Sequence, residues 1–138
     1  MLTTIEKVLL LMDLDLLRLA STDHLAELAS QCTERTEAAG KVLFRMGEAH
    51  DTLHFLVAGR VVLEKADLER QEVAQRPLDF WSCLTQSRHR YSAVCVEECT
   101  LLAAPTAAIL DLVDEQPEFG VALLKQLAAQ VVQDVPYL

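Results

Sequence analysis

The sequence predicts a mainly β fold, an antiparallel β-barrel or jelly roll with helices at its N-terminal and C-terminal ends. Three observations predict it. Short apolar runs between residues 40 and 65 are separated by Gly40, Gly47 and Gly59, as strands joined by tight turns are. Those runs are too short and too regularly punctuated for a parallel sheet. Before and after them, apolar residues recur at three- and four-residue spacing, the mark of amphipathic helices.

Composition sets the bounds. A chain of 138 residues, 51% hydrophobic and 24% charged, is long enough to bury a core without metal or disulfide staples and too apolar to be disordered. One domain is expected over 1–138, with N-terminal helices at 1–32, a β-roll at 33–104 carrying a segment at 78–94, and C-terminal helices at 105–134. A net charge of −9 argues against direct nucleic-acid binding, which needs clustered Lys and Arg. Cys32, Cys83, Cys95 and Cys99 lack the CxxC spacing of a zinc knuckle or redox pair, so no metal or cofactor is expected. The opening MLTTIEKVLLLMDLDLLRLA has Glu6 ahead of a short apolar core and Asp13 and Asp15 just beyond it. It has neither a basic leader nor the roughly 20 apolar residues of a membrane span. A cytoplasmic location with reduced thiols is expected.

Taken in order, Thr4 to about Leu17 reads as a helix with Ile5, Val8, Leu9, Met12 and Leu16 on one stripe. A second helix begins at Ser21 or Thr22, where a hydroxyl can cap free amides, and buries Leu25, Leu28, Ala29 and Cys32. Lys41 to Phe44, Thr52 to Val57 and Arg60 to Lys65 come next as strands. Ala66 to Arg76 form a turn and a further strand with a solvated charged face. Thr106 to Val113 is a short helix. Pro117 opens the last helix, ending near Val132, with Val121, Leu124, Leu127, Ala128 and Val131 on one stripe and Leu123 widening it.

The run GKVLFRMGEAHDTLHFLVAGRV, Gly40 to Val61, resembles the front half of a cyclic-nucleotide-binding domain, the sensor of catabolite-activator and kinase-regulatory-subunit type. Three turn glycines stand in register with the apolar pairs between them, and His54 occupies a position where an aromatic residue is usual. The resemblance covers nearly the whole chain. It implies a double-stranded β-helix fold, a role in signal transduction, and a phosphate-binding cassette at Leu78 to Val94, LDFWSCLTQSRHRYSAV.

In that family the cassette helix points its N-terminal amides at the cyclic phosphate. A glycine lets the backbone approach, a glutamate accepts from the ribose and an arginine pairs with the phosphate. Here Arg90, leading into Tyr91-Ser92-Ala93-Val94, aligns with the arginine. After Phe80, Ser82 falls at the glycine and Cys83 at the glutamate, or Trp81 and Ser82 do in a register one residue earlier; Leu84 comes next. From Phe80 through Val96 there is no acidic residue, and from Arg60 through Phe119 no glycine. Loss of a charged hydrogen bond worth ~1.5–3 kcal/mol weakens binding by one to two decades at ~1.4 kcal/mol per decade.

The degenerate cassette of Phe80, Trp81, Ser82, Cys83, Leu84, Arg90, Tyr91 and Ser92 therefore predicts a non-catalytic regulatory or sensor module, without catalytic residues, acting through an unknown protein effector or an altered ligand. A second reading keeps cAMP, cGMP or another small anionic ligand, held weakly by Arg90. Arg90 also reads as part of a basic surface cluster with Arg88 and His89, and Trp81 as a plug in the vacated pocket. A remote reading is a thiol enzyme using Cys83 or Cys95 with His89. The last helix offers a face for pairing with a second copy, and no membrane partner is expected.

Overall fold

The computed structural model describes residues 1–137. Helices α1 (Thr4–Met12) and α2 (Thr22–Ser30) flank a 3₁₀ turn at Asp15–Leu17. Eight strands make up the roll: β1 (Thr33–Glu37), β2 (Val42–Phe44), β3 (Thr52–Ala58), β4 (Val61–Glu64), β5 (Gln71–Val73), β6 (Arg76–Leu78), β7 (Ser92–Cys95) and β8 (Cys99–Pro105). Helix α3 (Phe80–Thr85) interrupts the strands between β6 and β7, and α4 (Thr106–Glu115) and α5 (Pro117–Asp134) close the chain. The strands form two four-stranded antiparallel sheets, ordered β1-β8-β3-β6 and β2-β7-β4-β5. The predicted jelly-roll architecture with flanking helices is the one observed.

Strand β3 shows why two cores form. Side chains alternate across a strand, and here both faces are covered. Leu53, Phe55 and Val57 join Leu102 and Ala104 of β8 against the helices, packing with Leu11, Leu17, Leu25, Leu28, Ile109 and Phe119. Leu56 faces the inside of the roll with Phe44, Val61, Val73, Leu78, Ala93, Cys95, Cys99 and Leu101. Gly59, at the β3–β4 turn with φ +91, lies so close to the β7–β8 turn that a Cβ would meet the Glu98 carbonyl oxygen at 2.5 Å. Only glycine fits both that φ and that contact.

Three expectations about the helices are corrected. The first helix stops at Met12 rather than near Leu17. Its capping box is made by Thr3 and Glu6, and Val8 and Leu11 are buried while Ile5, Leu9 and Met12 face outward. The sequence between residues 5 and 12 is apolar on both faces, so spacing alone marks the wrong stripe. In α5 the buried residues are Phe119, Leu123, Gln126 and Leu127; Val121 and Leu124 are exposed. Helix α2 is capped by Ser21 and buries Leu25, Leu28 and Ala29, with Cys32 buried just beyond it, as its pattern predicts. Among the described residues no helix is long and apolar enough to cross a membrane.

Candidate functional site

The chain leaves β6 at Leu78 and turns through Asp79, whose backbone is left-handed at φ 55, into α3. Gln86 ends that helix in the same conformation, φ 54. Glycine is the usual residue at such positions, and an aspartate tolerates them better than most. The segment then returns through Ser87 to Tyr91 into β7.

Asp79 is buried, only 3% exposed, and organises the cassette. Its Oδ1 accepts from the Ser82 hydroxyl at 2.7 Å. Its Oδ2 accepts from His89 Nδ1–H at 2.9 Å and from the Arg90 backbone N–H at 3.1 Å. The Asp79 backbone N–H donates to the Tyr91 hydroxyl at 2.6 Å, and its carbonyl accepts from His50 Nε2–H at 2.9 Å. His50 Nδ1 is then free to accept from the Thr106 hydroxyl, 2.9 Å away, at the start of α4. The helix, the return segment, the β2–β3 loop and α4 are thus tied through one residue. A buried carboxylate needs such a set of donors, since burying the charge unpaired is costly.

The histidines stack beneath it. The His89 ring lies on Phe44 at 3.8 Å between centroids and on His50 at 4.3 Å. His54, on β3, stacks with Phe44 at 6.2 Å, and its buried Nδ1 has no hydrogen-bond partner among the described residues. Burial, then the Arg35 guanidinium and the His89 and His50 rings, holds the His54 pKa at about 4. Burial also holds His89 below the ordinary imidazole value, against the upward pull of Asp79. Both rings are therefore neutral near pH 7, and the Asp79–His89 contact is a hydrogen bond from a neutral ring to a carboxylate.

His50, Asp79 and His89 offer donor atoms within 4.8 Å of one another. A divalent ion bound at about 2.0–2.1 Å must lie close to the plane of each imidazole that ligates it. The two rings stand face to face, 25° from parallel, so no point close to both planes is within that reach of both. As arranged, this cluster is a hydrogen-bonded anchor and not a metal centre.

The structure gathers some of the sequence-predicted site residues and separates others. Phe80, Ser82 and Cys83 are buried, and Tyr91 reaches Asp79. Leu84 is half-buried against the helical core, and Ser92 accepts from the Met46 backbone N–H. Trp81 is 48% exposed, at the edge of the cavity beside α5 rather than buried within it. His89 is buried, so it is no member of a basic surface cluster. Arg88 donates to the Gly47 carbonyl, whereas the Arg90 guanidinium is exposed and pairs with no carboxylate among the described residues. Burial, then the Asp79 charge, pushes the Cys83 thiol up to about 11. Burial and the neighbouring Cys99 thiol raise Cys95 to about 12. Neither thiol is poised as a nucleophile, which needs the thiolate.

Sequence reasoning alone misses Asp79 and His50 as site residues. A signal exists in part. Asp79 is the last carboxylate before seventeen residues without one, Phe80 to Val96, and Ser82 stands three positions on, the spacing at which a side chain reaches back across a first helical turn.

A cavity of about 360 Å³ lies between the cassette and α5, lined among others by Asp15, Arg76, Trp81, Tyr91, Gln130 and Asp134. Among the described residues that line it Arg76 is the one cation, set against Asp15, Asp79 and Asp134, and Arg90 is not one of them. That charge balance does not favour a phosphate.

A family profile described as cyclic nucleotide-binding domain matches residues 34–116. No curated protein matches the chain in sequence. Among solved structures, the N-terminal domain of a transcriptional regulator from Streptomyces coelicolor is 22% identical with a TM-score of 0.74, over 91% of each chain. The sensor domain of the transcriptional regulator DNR from Pseudomonas aeruginosa is 18% identical with a TM-score of 0.74, over 98% of this chain and 95% of that one. The catabolite activator protein of Thermus thermophilus is 22% identical with a TM-score of 0.70, over 87% of this chain and 59% of that one. At these identities the structural likenesses show a shared fold.

Proposed function

The chain belongs to the cyclic nucleotide-binding domain family, and from that premise we propose that it is a non-catalytic regulatory module whose cassette is held closed by its own side chains. It acts by contact with a protein effector, or through a ligand other than an ordinary cyclic nucleotide. One observation carries this reading. The buried Asp79 carboxylate already takes the Ser82 hydroxyl, the His89 ring and the Arg90 amide, so these cassette donors are engaged within the chain. In either register, Ser82 with Cys83 or Trp81 with Ser82, the glycine and the glutamate of the family site are missing. The acidic lining of the cavity beside α5 points the same way.

The test is calorimetric titration of the chain at pH 7.5 with cAMP and cGMP to millimolar concentration, with melting temperature measured in parallel. Absence of both heat and shift is expected. A saturable heat with a concentration-dependent rise in melting temperature overturns the reading. The exposed Arg90 guanidinium, in no ion pair among the described residues, favours the second reading, weak binding of a small anion; Arg90→Ala then abolishes the heat.

Transcriptional regulators are among the structurally similar proteins, yet an excess of acid over base makes direct nucleic-acid contact by this chain unfavourable. The outward face of α5, Val121, Leu124 and Ala128 at successive three- and four-residue steps, has the spacing of a coiled-coil seam. Its proposed occupant is the same helix of a second copy.

A further inference from the structure

We propose that the cassette closes only over neutral imidazoles, so that His50, His54 and His89, packed around Phe44 and Asp79, form a proton-operated latch that releases α3 on acidification. The proposal rests on reading the cassette as held by its own side chains. Three geometric facts point to it.

The first is His54. It sits inside the roll on β3 with a buried Nδ1 that has no hydrogen-bond partner among the described residues. A proton added there becomes a buried donor with nothing to accept it and a charge facing Arg35 of β1. The second is the stack. His50 and His89 lie 4.3 Å apart face to face, stable for neutral rings and repulsive for two cations. His89 faces Asp79 and Glu48 as well, and these carboxylates resist its displacement until His54 and the stack are charged. The third is the shared acceptor. Tyr91 and Cys83 border Asp79, but its carboxylate alone receives Ser82, His89 and Arg90, so displacing His89 disturbs the tie of α3 to the return segment.

Burial keeps both His54 and His89 below the ordinary imidazole value, so each favours the closed state only when neutral. Helix α3 is the element that yields. It has six residues between two left-handed ones, so its own hydrogen bonds hold it weakly, and local opening costs less than unfolding the sheets.

The experiment uses the whole chain without ligand, from pH 8 to pH 4. Trp81 fluorescence and amide exchange of residues 82–86 track α3, while far-UV circular dichroism tracks the sheets. The expected result is an α3 transition between about pH 6.5 and 4 that precedes any change in the sheets. In His54→Phe, and separately in His50→Gln, its midpoint moves down by at least about half a pH unit. The proposal is overturned if Trp81 and the amides change only together with the sheets. It is equally overturned if the midpoint stays put in every variant that folds; His50 is only half-buried, so His50→Gln decides where His54→Phe does not fold. Nucleotide titration at pH 7.5 is made with the latch shut. Its outcome reports on the proposed function and leaves the pH response to be judged separately.

Discussion

The Phe44 and His89 rings lie face to face, 3.8 Å between centroids and 11° from parallel, so the cassette's return segment is seated on β2 through an aromatic contact. The same imidazole gives its Nδ1–H to Asp79. Ring stacking and hydrogen bonding are thus carried by one side chain.

His89→Ala removes both. Losing a buried ring and leaving a buried carboxylate short of a donor should cost about 2–4 kcal/mol. His89→Asn, whose amide N–H can stand near the place of Nδ1, should recover part of that. Urea unfolding at pH 7 checks the order wild type, Asn, Ala; an Ala variant within about 0.5 kcal/mol of wild type contradicts the assignment.

His54 predicts a pH dependence of global stability. Its folded pKa of about 4 lies below the ordinary 6.5, so between those values the unfolded chain takes up more protons than the folded one. Stability therefore rises with pH across that window, is fully present above about 6.5 and is lost as pH falls toward 4. The loss from this group between pH 7 and pH 5 is about 2 kcal/mol. Denaturant midpoints should fall over that interval in wild type and fall less in His54→Phe.

Gln86→Gly tests the strained end of α3. Gln86 holds φ 54 while its side chain faces solvent. Relief of a left-handed non-glycine residue, worth about 1–2 kcal/mol and partly offset by the flexibility of glycine, should raise stability by roughly 0.5–1 kcal/mol. A loss of stability would mean that the Gln86 side chain makes a contact that matters.

Leu124→Glu addresses the outward face of α5. Leu124 is 66% exposed, so within one chain the change should alter stability by no more than about 0.5 kcal/mol. If that face seats a second copy, sedimentation should show a dimer for wild type and a monomer for the variant. A monomer in both cases ends the pairing proposal.

The roll is readable because its turns demand special residues. Gly40, Gly47 and Gly59 all hold positive φ, and that requirement is written in the residue type itself. Strand β1, with the sequence TERTE, carries no apolar signal because it is an edge strand paired on one side only, to β8. In α1, Ile5, Val8, Leu9, Leu11 and Met12 supply apolar residues all round the helix, and only the position of α2 decides which side is buried. The Asp79 site is least legible. Its partners come from positions 3, 10, 11, 12 and 29 residues away, brought together by a left-handed turn that an aspartate does not announce.

His50 joins by hydrogen bonds two parts of the molecule that also meet in the helical core, where Phe80 and Cys83 lie with Ile109 and Leu112. One ring nitrogen holds the carbonyl of Asp79 ahead of the cassette helix, and the other meets the hydroxyl of Thr106, the first residue of α4. The imidazole is a rigid spacer of fixed length, a tie rod between the cassette side of the roll and the helical tail. A displacement of Asp79 relative to Thr106 must either drag the start of α4 with it or break one end of that rod, so a loop histidine adds a directional polar link to the apolar core that the two halves share.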